Sequence, residues 1–207
     1  IRRLAQGNQP STGLGAVTLQ DALDADGTLV LAAGELAVGS NNVNIGGSYW
    51  NYGGVFNAGT QITTFDSASM GNIIQSNGIL ESFDSVNITG AGGWTLNDNI
   101  TASGTIHLDT GTLTHTSQVT GITVTGSLEI DGGTFVGVAN GLLIDGNLSL
   151  LSGTLTAPSD YLIVSGNWLR TAGTFNDNSS TVVFSSMDDE TITSGGESFD
   201  NVVIGDG

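Results

Sequence analysis

The chain contains no cysteine and no lysine, only three arginines and two prolines, and no apolar run approaching the length of a membrane span. Without cysteine there is no disulfide and no thiolate metal site, so the redox state of the compartment leaves no mark. Three arginines cannot neutralise a run of phosphates, which excludes a nucleic-acid partner. The same scarcity of cations disfavours an anionic membrane surface, and no stretch of about 18 apolar residues is present to insert into one. What is abundant is acid and glycine: 20 Asp and Glu give a net charge of −17, and 32 of the 207 residues are Gly. A hydrophobic fraction of 38% with mean hydropathy of +0.13 is too apolar for a chain held open by charge. The length suits one all-β domain or two small ones. The first residue is Ile and no basic-then-apolar leader follows, so any signal peptide is expected to have been removed already.

Internal repetition organises the rest. The segment Gly27 to Phe65 aligns without a gap to Gly146 to Phe184 at an offset of 119, pairing Leu29 with Leu148, Gly34 with Gly153, Phe56 with Phe175 and Phe65 with Phe184. After a three-residue deletion the match resumes, with SFDSVNI (Ser82 to Ile88) facing SFDNVVI (Ser198 to Ile204). A second offset, 77, joins Ala16–Leu36 to Gly93–Leu113 and pairs Leu19 with Leu96, Leu31 with Leu108 and Leu36 with Leu113. The body is therefore two copies of one unit, residues 15–91 and 92–207, with about 42 additional residues in the second; residues 1–14 match neither and form an N-terminal arm.

A shorter period runs inside the units. Glycines 104, 126, 146 and 166 each open a segment such as GTIHLDTGTL or GNLSLLSGTL, 22, 20 and 20 residues apart. Apolar and polar residues alternate with period two, which describes short strands with one buried face. Gly, Asn, Asp and Ser mark the turns. Short strands repeating every 20–22 residues bury nothing alone but form a continuous core when stacked. The expected fold is all-β, a right-handed parallel β-helix (β-solenoid) of about nine coils of 20–22 residues. The alternative is an antiparallel β-sandwich, which also shows short strands but gives no reason for a 20-residue register of Gly and Leu.

The segments GNWLRTAGTFNDNSSTVVF and GSYWNYGGVFNAGTQITTF resemble the G-N-W-x-x-x-G-T-F-N repeats of large secreted prokaryotic surface proteins and adhesins with β-helical bodies. The resemblance covers almost everything after Gly15. It implies a scaffold at the cell exterior and no particular activity.

Each candidate for chemistry has a plain competitor. Asp21, Asp24 and Asp26 form D-x-x-D-x-D, and with turn carbonyls they could offer oxygens to calcium, the one cofactor the sequence suggests. The spacing fits neither the EF-hand loop nor the G-G-x-G-x-D nonapeptide, and solvated turn residues are the competing reading, as for Asp188, Asp189 and Glu190. A carbohydrate-active β-helix enzyme would need a base or a carboxylate pair. Arg170 is the one basic side chain of the body, and Glu129 with Asp109 is a pair that stacked turns would place together anyway. His107 and His115 lack a third ligand and are expected at the surface. The ladder Thr112/Thr114, Thr134, Thr154/Thr156 and Thr174 suggests a flat threonine array whose T-x-T register fails at Val136 and Asn176. Repeat-equivalent aromatics, among them Trp50, Trp94, Trp168, Phe56 and Phe175, are expected as core or coil-covering packing rather than as a sugar platform, whereas Tyr52 and Tyr161 have no aromatic counterpart and are expected at the surface.

The ends suggest the function. A solenoid end is an unpaired edge, and the strand that follows SFDSVNI in the first unit, GWTL, has its counterpart in AVTL near the start of the chain. Either copies stack head to tail into a filament or the chain is a piece of a longer tandem array. The expectation taken forward is a non-enzymatic, secreted or cell-surface structural protein that stacks head to tail with copies of itself into a filament or surface layer. Val202 and Ile204 would meet Val17 and Leu19 of the next subunit. Ile1, Arg2, Arg3 and Leu4 of the arm would either cap the chain's own first coil or anchor it to a neighbour's carboxylates. The runner-up is an adhesin stalk that presents a surface to a polysaccharide or cell-surface ligand.

Overall fold

The computed structural model describes residues 15–76, 82–116, 122–186 and 188–205, and every regular element among them is a β-strand. All strand pairings are parallel, and the chain winds as a β-solenoid of about nine turns. The antiparallel sandwich is thereby excluded.

The chain returns to the same side once per coil after visiting two others, so the rod has three faces. The first face carries β1 (Ala16–Thr18), β4 (Glu35–Ala37), β7 (Val55–Asn57), β10 (Ser82–Phe83), β13 (Thr101–Ala102), β16 (Ile122–Val124), β18 (Gly141–Ile144), β20 (Tyr161–Val164), β23 (Thr181–Phe184) and β25 (Asn201–Ile204). The second carries β2 (Leu23–Ala25), β5 (Val43–Ile45), β8 (Ile62–Phe65), β11 (Ser85–Ile88), β14 (Thr105–Leu108), the leading halves of β17 (Ser127–Val136) and β19 (Leu148–Thr156), β21 (Trp168–Arg170) and β24 (Ile192–Thr193). The third carries β3 (Leu29–Leu31), β6 (Tyr49–Asn51), β9 (Asn72–Gln75), β12 (Gly93–Leu96), β15 (Thr112–His115), the trailing halves of β17 and β19, and β22 (Thr174–Asn176). At about 4.8 Å per coil, nine coils span about 43 Å.

The step from coil to coil is mostly 20 residues, as in Leu23 to Val43 and Leu148 to Trp168, but it ranges more widely than the glycine spacing suggests. It falls to 19 between Ala16 and Glu35 and rises to 25 between Tyr49 and Ile74 and to 24 between Trp168 and Ile192. The two long steps occupy the same point of the two units, since Tyr49 and Trp168 lie 119 residues apart. The excess is accommodated in turns that leave the stacking undisturbed: between β8 and β9, at the corner of the second and third faces, in the first unit, and between β23 and β24, at the corner of the first and second faces, in the second.

The two units are out of step with the coils. Counting β17 and β19 as two sides each, the 77-residue offset carries β1 onto β12, a shift of 11 sides, and the 119-residue offset carries β3 onto the first half of β19, a shift of 17. Both correspond to seven residues per side, and neither is a multiple of three. Equivalent residues therefore lie on different faces, each unit being turned by a third of a coil relative to the matching part of the other. The first unit fills 11 sides and the 42 additional residues of the second fill six more, two whole coils. Such a slip is tolerated because most sides obey the same rule, two inward residues, usually apolar, flanking an outward one, with polar exceptions such as Asn51, Thr63 and His115.

Inward residues form columns such as Leu128–Leu148–Trp168 and Ile144–Val164–Phe184. Two aromatic clusters are built alike from repeat-equivalent residues. Tyr49, Phe56, Phe65 and Phe83 correspond to Trp168, Phe175, Phe184 and Phe199. The Tyr49–Phe56 and Trp168–Phe175 centroids are 5.8 and 5.0 Å apart, and those of Phe56–Phe83 and Phe175–Phe199 are 5.4 and 5.7 Å apart. Three of these four contacts are edge-on and that of Phe56–Phe83 is tilted; aromatic pairs of this kind add about 0.5–1.5 kcal/mol each to the burial itself. A polar ladder runs along one corner: Ser127 Oγ accepts the Asn147 backbone N–H (3.1 Å), Asn147 Oδ1 accepts that of Asn167 (2.9 Å), and Asn167 Oδ1 accepts that of Thr191 (2.9 Å). Each coil thus satisfies a turn donor of the next, a group that would otherwise be left unpaired.

The glycines that set the period stack on one another at that corner. A Cβ on Gly126 would overlap the carbonyl of Gly104, and one on Gly166 would lie 2.6 Å from the carbonyl oxygen of Gly146. Gly27, by contrast, has no atom within 4 Å of the place a Cβ would take. Gly126→Ala is therefore expected to cost about 1–3 kcal/mol through backbone displacement, whereas Gly27→Ala is expected to be neutral or mildly stabilising. Urea unfolding of both variants measures the difference.

Candidate functional sites

The two terminal strands, β1 and β25, lie on the same face at opposite ends of the rod. Both expose residues that are interior elsewhere. Val17 is 55% exposed, although its counterpart 77 residues on, Trp94, is 1% exposed. Val202 and Ile204 are 45% and 71% exposed, while Val86 and Ile88, their counterparts in the first unit, are fully buried. Leu19 is partly buried against the core. Ile1, Arg2, Arg3 and Leu4 lie outside the described residues.

The acidic candidates do not converge. Asp24 points outward from the second face, Asp21 and Asp26 sit in the flanking turns, and all three are exposed. Among the described residues no three His, Asp or Glu side chains gather as a metal-binding group. Asp188 and Glu190 belong to an exposed loop organised by Ser186, whose Oγ accepts the Asp188 N–H (3.0 Å) and donates to Glu190 (3.3 Å). Glu129 stands beside His107 in register, Oε1 to Nε2 being 3.6 Å, rather than facing Asp109, which occupies a turn.

His107 is half-buried on the outer side of the second face, but His115 corrects the sequence expectation. It is fully buried, because it continues the inward column of Ile74 and Leu96 on the third face. Arg170 is structural: it pairs with Glu197 (3.1 Å) and donates to the carbonyls of Gly173 (2.7 Å) and Gly195 (3.1 Å), binding the last long turn to the coil beneath. Thr112, Thr134, Thr154 and Thr174 do stand in one unbroken register on the third face, with Thr114, Val136, Thr156 and Asn176 as the interrupted rank beside them.

Among the repeat-equivalent aromatics, Trp50 lies on the outer side of its strand rather than in the core, because its neighbour Tyr49 takes the inward place equivalent to Trp168. The Trp50 ring lies parallel to that of Tyr52, with centroids 6.0 Å apart and planes at 9°. Tyr52 is 60% exposed, whereas Tyr161 is only half-exposed, its ring lying over Gly141. The only signal that could have separated Trp50 from Tyr49 is the repeat alignment, which pairs Trp50 with Leu169, itself on the surface.

Two depressions lie on the first face. One of about 240 Å³ is lined by Val55, Asn57, Gly59, Asp84 and Ser103, and one of about 180 Å³ by Asn99, Thr123, Leu143, Tyr161 and Ile163. Both are shallow and open. No family model matches the chain, and no curated protein or solved structure is similar to it.

Proposed function

We propose that the protein is a structural element of the cell exterior that assembles end to end through its terminal coils. The observation that carries this reading is the exposure of Val17, Val202 and Ile204, apolar residues whose repeat counterparts are interior. Burying them on a further coil is favourable at about 25 cal/mol per Å². The exterior location rests on the resemblance of the GNW-type segments to secreted surface proteins.

The internal junction between the units supplies a template for the contact between copies. After β11 in the first unit the chain continues into β12, the counterpart of β1, and β14, the counterpart of β3, stacks on β11 with Val86 opposite Ile106 and Ile88 opposite Leu108. Transferred to β25, this places Val202 and Ile204 on Leu29 and Leu31 of the next copy. By the same transfer, from the pairing of Leu96 with Ile74, Leu19 falls on Ile192, which is 46% exposed. The partners expected from chain order alone, Val17 and Leu19, thus move one face further round. A head-to-tail contact of this kind does not close and yields an open fibre.

A stalk that binds polysaccharide is the second reading, favoured by the exposed Trp50–Tyr52 ring pair. Parallel rings on a rod are a platform for the apolar face of a sugar.

Each reading has its own test. Ile204→Asp and Val17→Asp put a carboxylate into opposite sides of the junction, at positions exposed enough to leave the fold intact. Each variant alone is expected to sediment as a 21.0 kDa monomer, while an equimolar mixture forms a dimer of twice that mass through its two unmodified ends. Growth of either variant alone into polymers would overturn the axial contact. For the stalk reading, Trp94 and Trp168 are buried, so a shift of tryptophan emission on adding polysaccharide reports Trp50. An unchanged spectrum across polysaccharide classes would count against it.

A further inference from the structure

The two units act as internal controls for each other, and they differ at one outward pair. The 119-residue offset sets Trp50 and Tyr52 against Leu169 and Thr171, so the second unit builds the same scaffold without rings at these positions. In the first unit the pair is firmly held. Asn51, between the two rings, is buried, and its Oδ1 accepts the backbone N–H groups of Gly53 (2.9 Å) and Gly54 (2.8 Å) while its Nδ2 donates to the Gly54 carbonyl (3.0 Å). This fixes the turn that carries Tyr52, so little freedom is left to be lost when a ligand settles on the ring. The turn is open beside Tyr52, since a Cβ on Gly53 would meet nothing within 4 Å.

The residues in line with Trp50 along the rod are polar and uncharged on one side. Trp50, partly exposed, stands on Val30, and Gln75, Asn97 and Thr116 follow in the next three coils. Asn97 is exposed, and its Nδ2 donates to Gln75 Oε1 (3.4 Å), so the amides of successive coils form a file with a step of about 4.8 Å. Among the described residues no outward side chain of the third-face strands is charged, whereas the second face carries Asp24 and Glu129. Asp98, next to this file, is turned to Ser76, from whose N–H and Oγ it accepts at 2.8 and 3.1 Å. Arg170, the one guanidinium among the described residues, is committed to Glu197.

We infer that Trp50, Tyr52, Gln75 and Asn97 form a binding site for a neutral polysaccharide lying along the third face. The inference rests on the polysaccharide reading above and adds the class of ligand and the residues that select it. A pyranose presents C–H groups that rest on an aromatic face and hydroxyls that pair with amides, and this surface sets those two chemistries side by side. An acidic glycan would bring carboxylates to a site that faces no cation among the described residues, on a chain of net charge −17. An extended peptide would need a sheet edge, and here β3, β6 and β9 hydrogen-bond to one another across the face. The step of about 4.8 Å per coil is close to the length of one sugar unit in an extended chain, so the file offers a partner to successive units. The site lies on the flank of the rod, clear of both terminal strands.

The test is interferometry of the Ile204→Asp chain, in which axial growth does not complicate the signal, on immobilised galactomannan, hydroxyethyl cellulose and polygalacturonate. Retention is expected on the neutral polymers and not on polygalacturonate. Trp50→Leu together with Tyr52→Thr installs the residues of the second unit and is expected to weaken retention about tenfold. Gln75→Ala together with Asn97→Ala is expected to weaken it several-fold. Polygalacturonate retained as well as the neutral polymers, or neutral-polymer binding untouched by Trp50→Leu and Tyr52→Thr, describes a chain that binds polysaccharide in another way and overturns the inference. Retention on none of the three polymers removes the polysaccharide reading itself, and the inference with it. Should the ring variant fail to fold, the Gln75→Ala and Asn97→Ala variant decides the matter, and unchanged retention overturns the inference.

Discussion

Everything in this molecule depends on one residue lying on its equivalent in the coil beneath, about 4.8 Å away, in parallel register. A coil of 20 residues has two neighbours and no core of its own, so its apolar side chains are buried only by being stacked. This accounts for the columns of Leu, Ile and Val, for the two aromatic clusters, and for the glycines that allow one turn to rest on the carbonyl of another. It also accounts for the exposure of Val17 and Ile204, which occupy core positions at places where the described residues provide no further coil.

The same constraint explains why the repeat and the coil need not coincide. Stacking requires that an inward apolar residue sit on another and is indifferent to which face they occupy. A unit built from seven-residue sides can therefore be duplicated after 11 sides or extended by six without loss of register. The duplicated unit then arrives on a new face, where its outward residues are released from their former surroundings. Trp50 and Tyr52 against Leu169 and Thr171 is the clearest instance: identical scaffold, different face, different surface chemistry.

The solenoid was legible in the sequence because its cause is periodic. The 20-residue spacing of Gly126, Gly146 and Gly166 is the spacing of backbones that touch, and Phe56 and Phe175 recur because they fill the same place in two clusters. What was not legible depends on rotation about the axis, which sequence spacing does not record. The exchange of Tyr49 for Trp50 as the inward ring, the burial of His115 in the column of Leu96, and the file of Trp50, Gln75 and Asn97 on one face all require knowing which residues share a side. The placement of Asp21, Asp24 and Asp26 depends on the same rotation, since these neighbours in the chain straddle a strand and two turns.

The helical symmetry of an assembled fibre bears most directly on this account. In the proposed end-to-end assembly, the 25 strands, with β17 and β19 counted twice, and the side of Ser198 and Phe199, which joins β24 to β25 without forming a strand, make 28 sides per copy. Each subunit would therefore advance nine and one-third coils, about 45 Å, and turn by about a third of a revolution beyond the slow twist of the rod. Electron cryomicroscopy of polymers of the unmodified chain should return an axial rise near 45 Å with a rotation near 120°. Subunits repeating without that rotation, or at a spacing that leaves no continuous stack of coils, would contradict it.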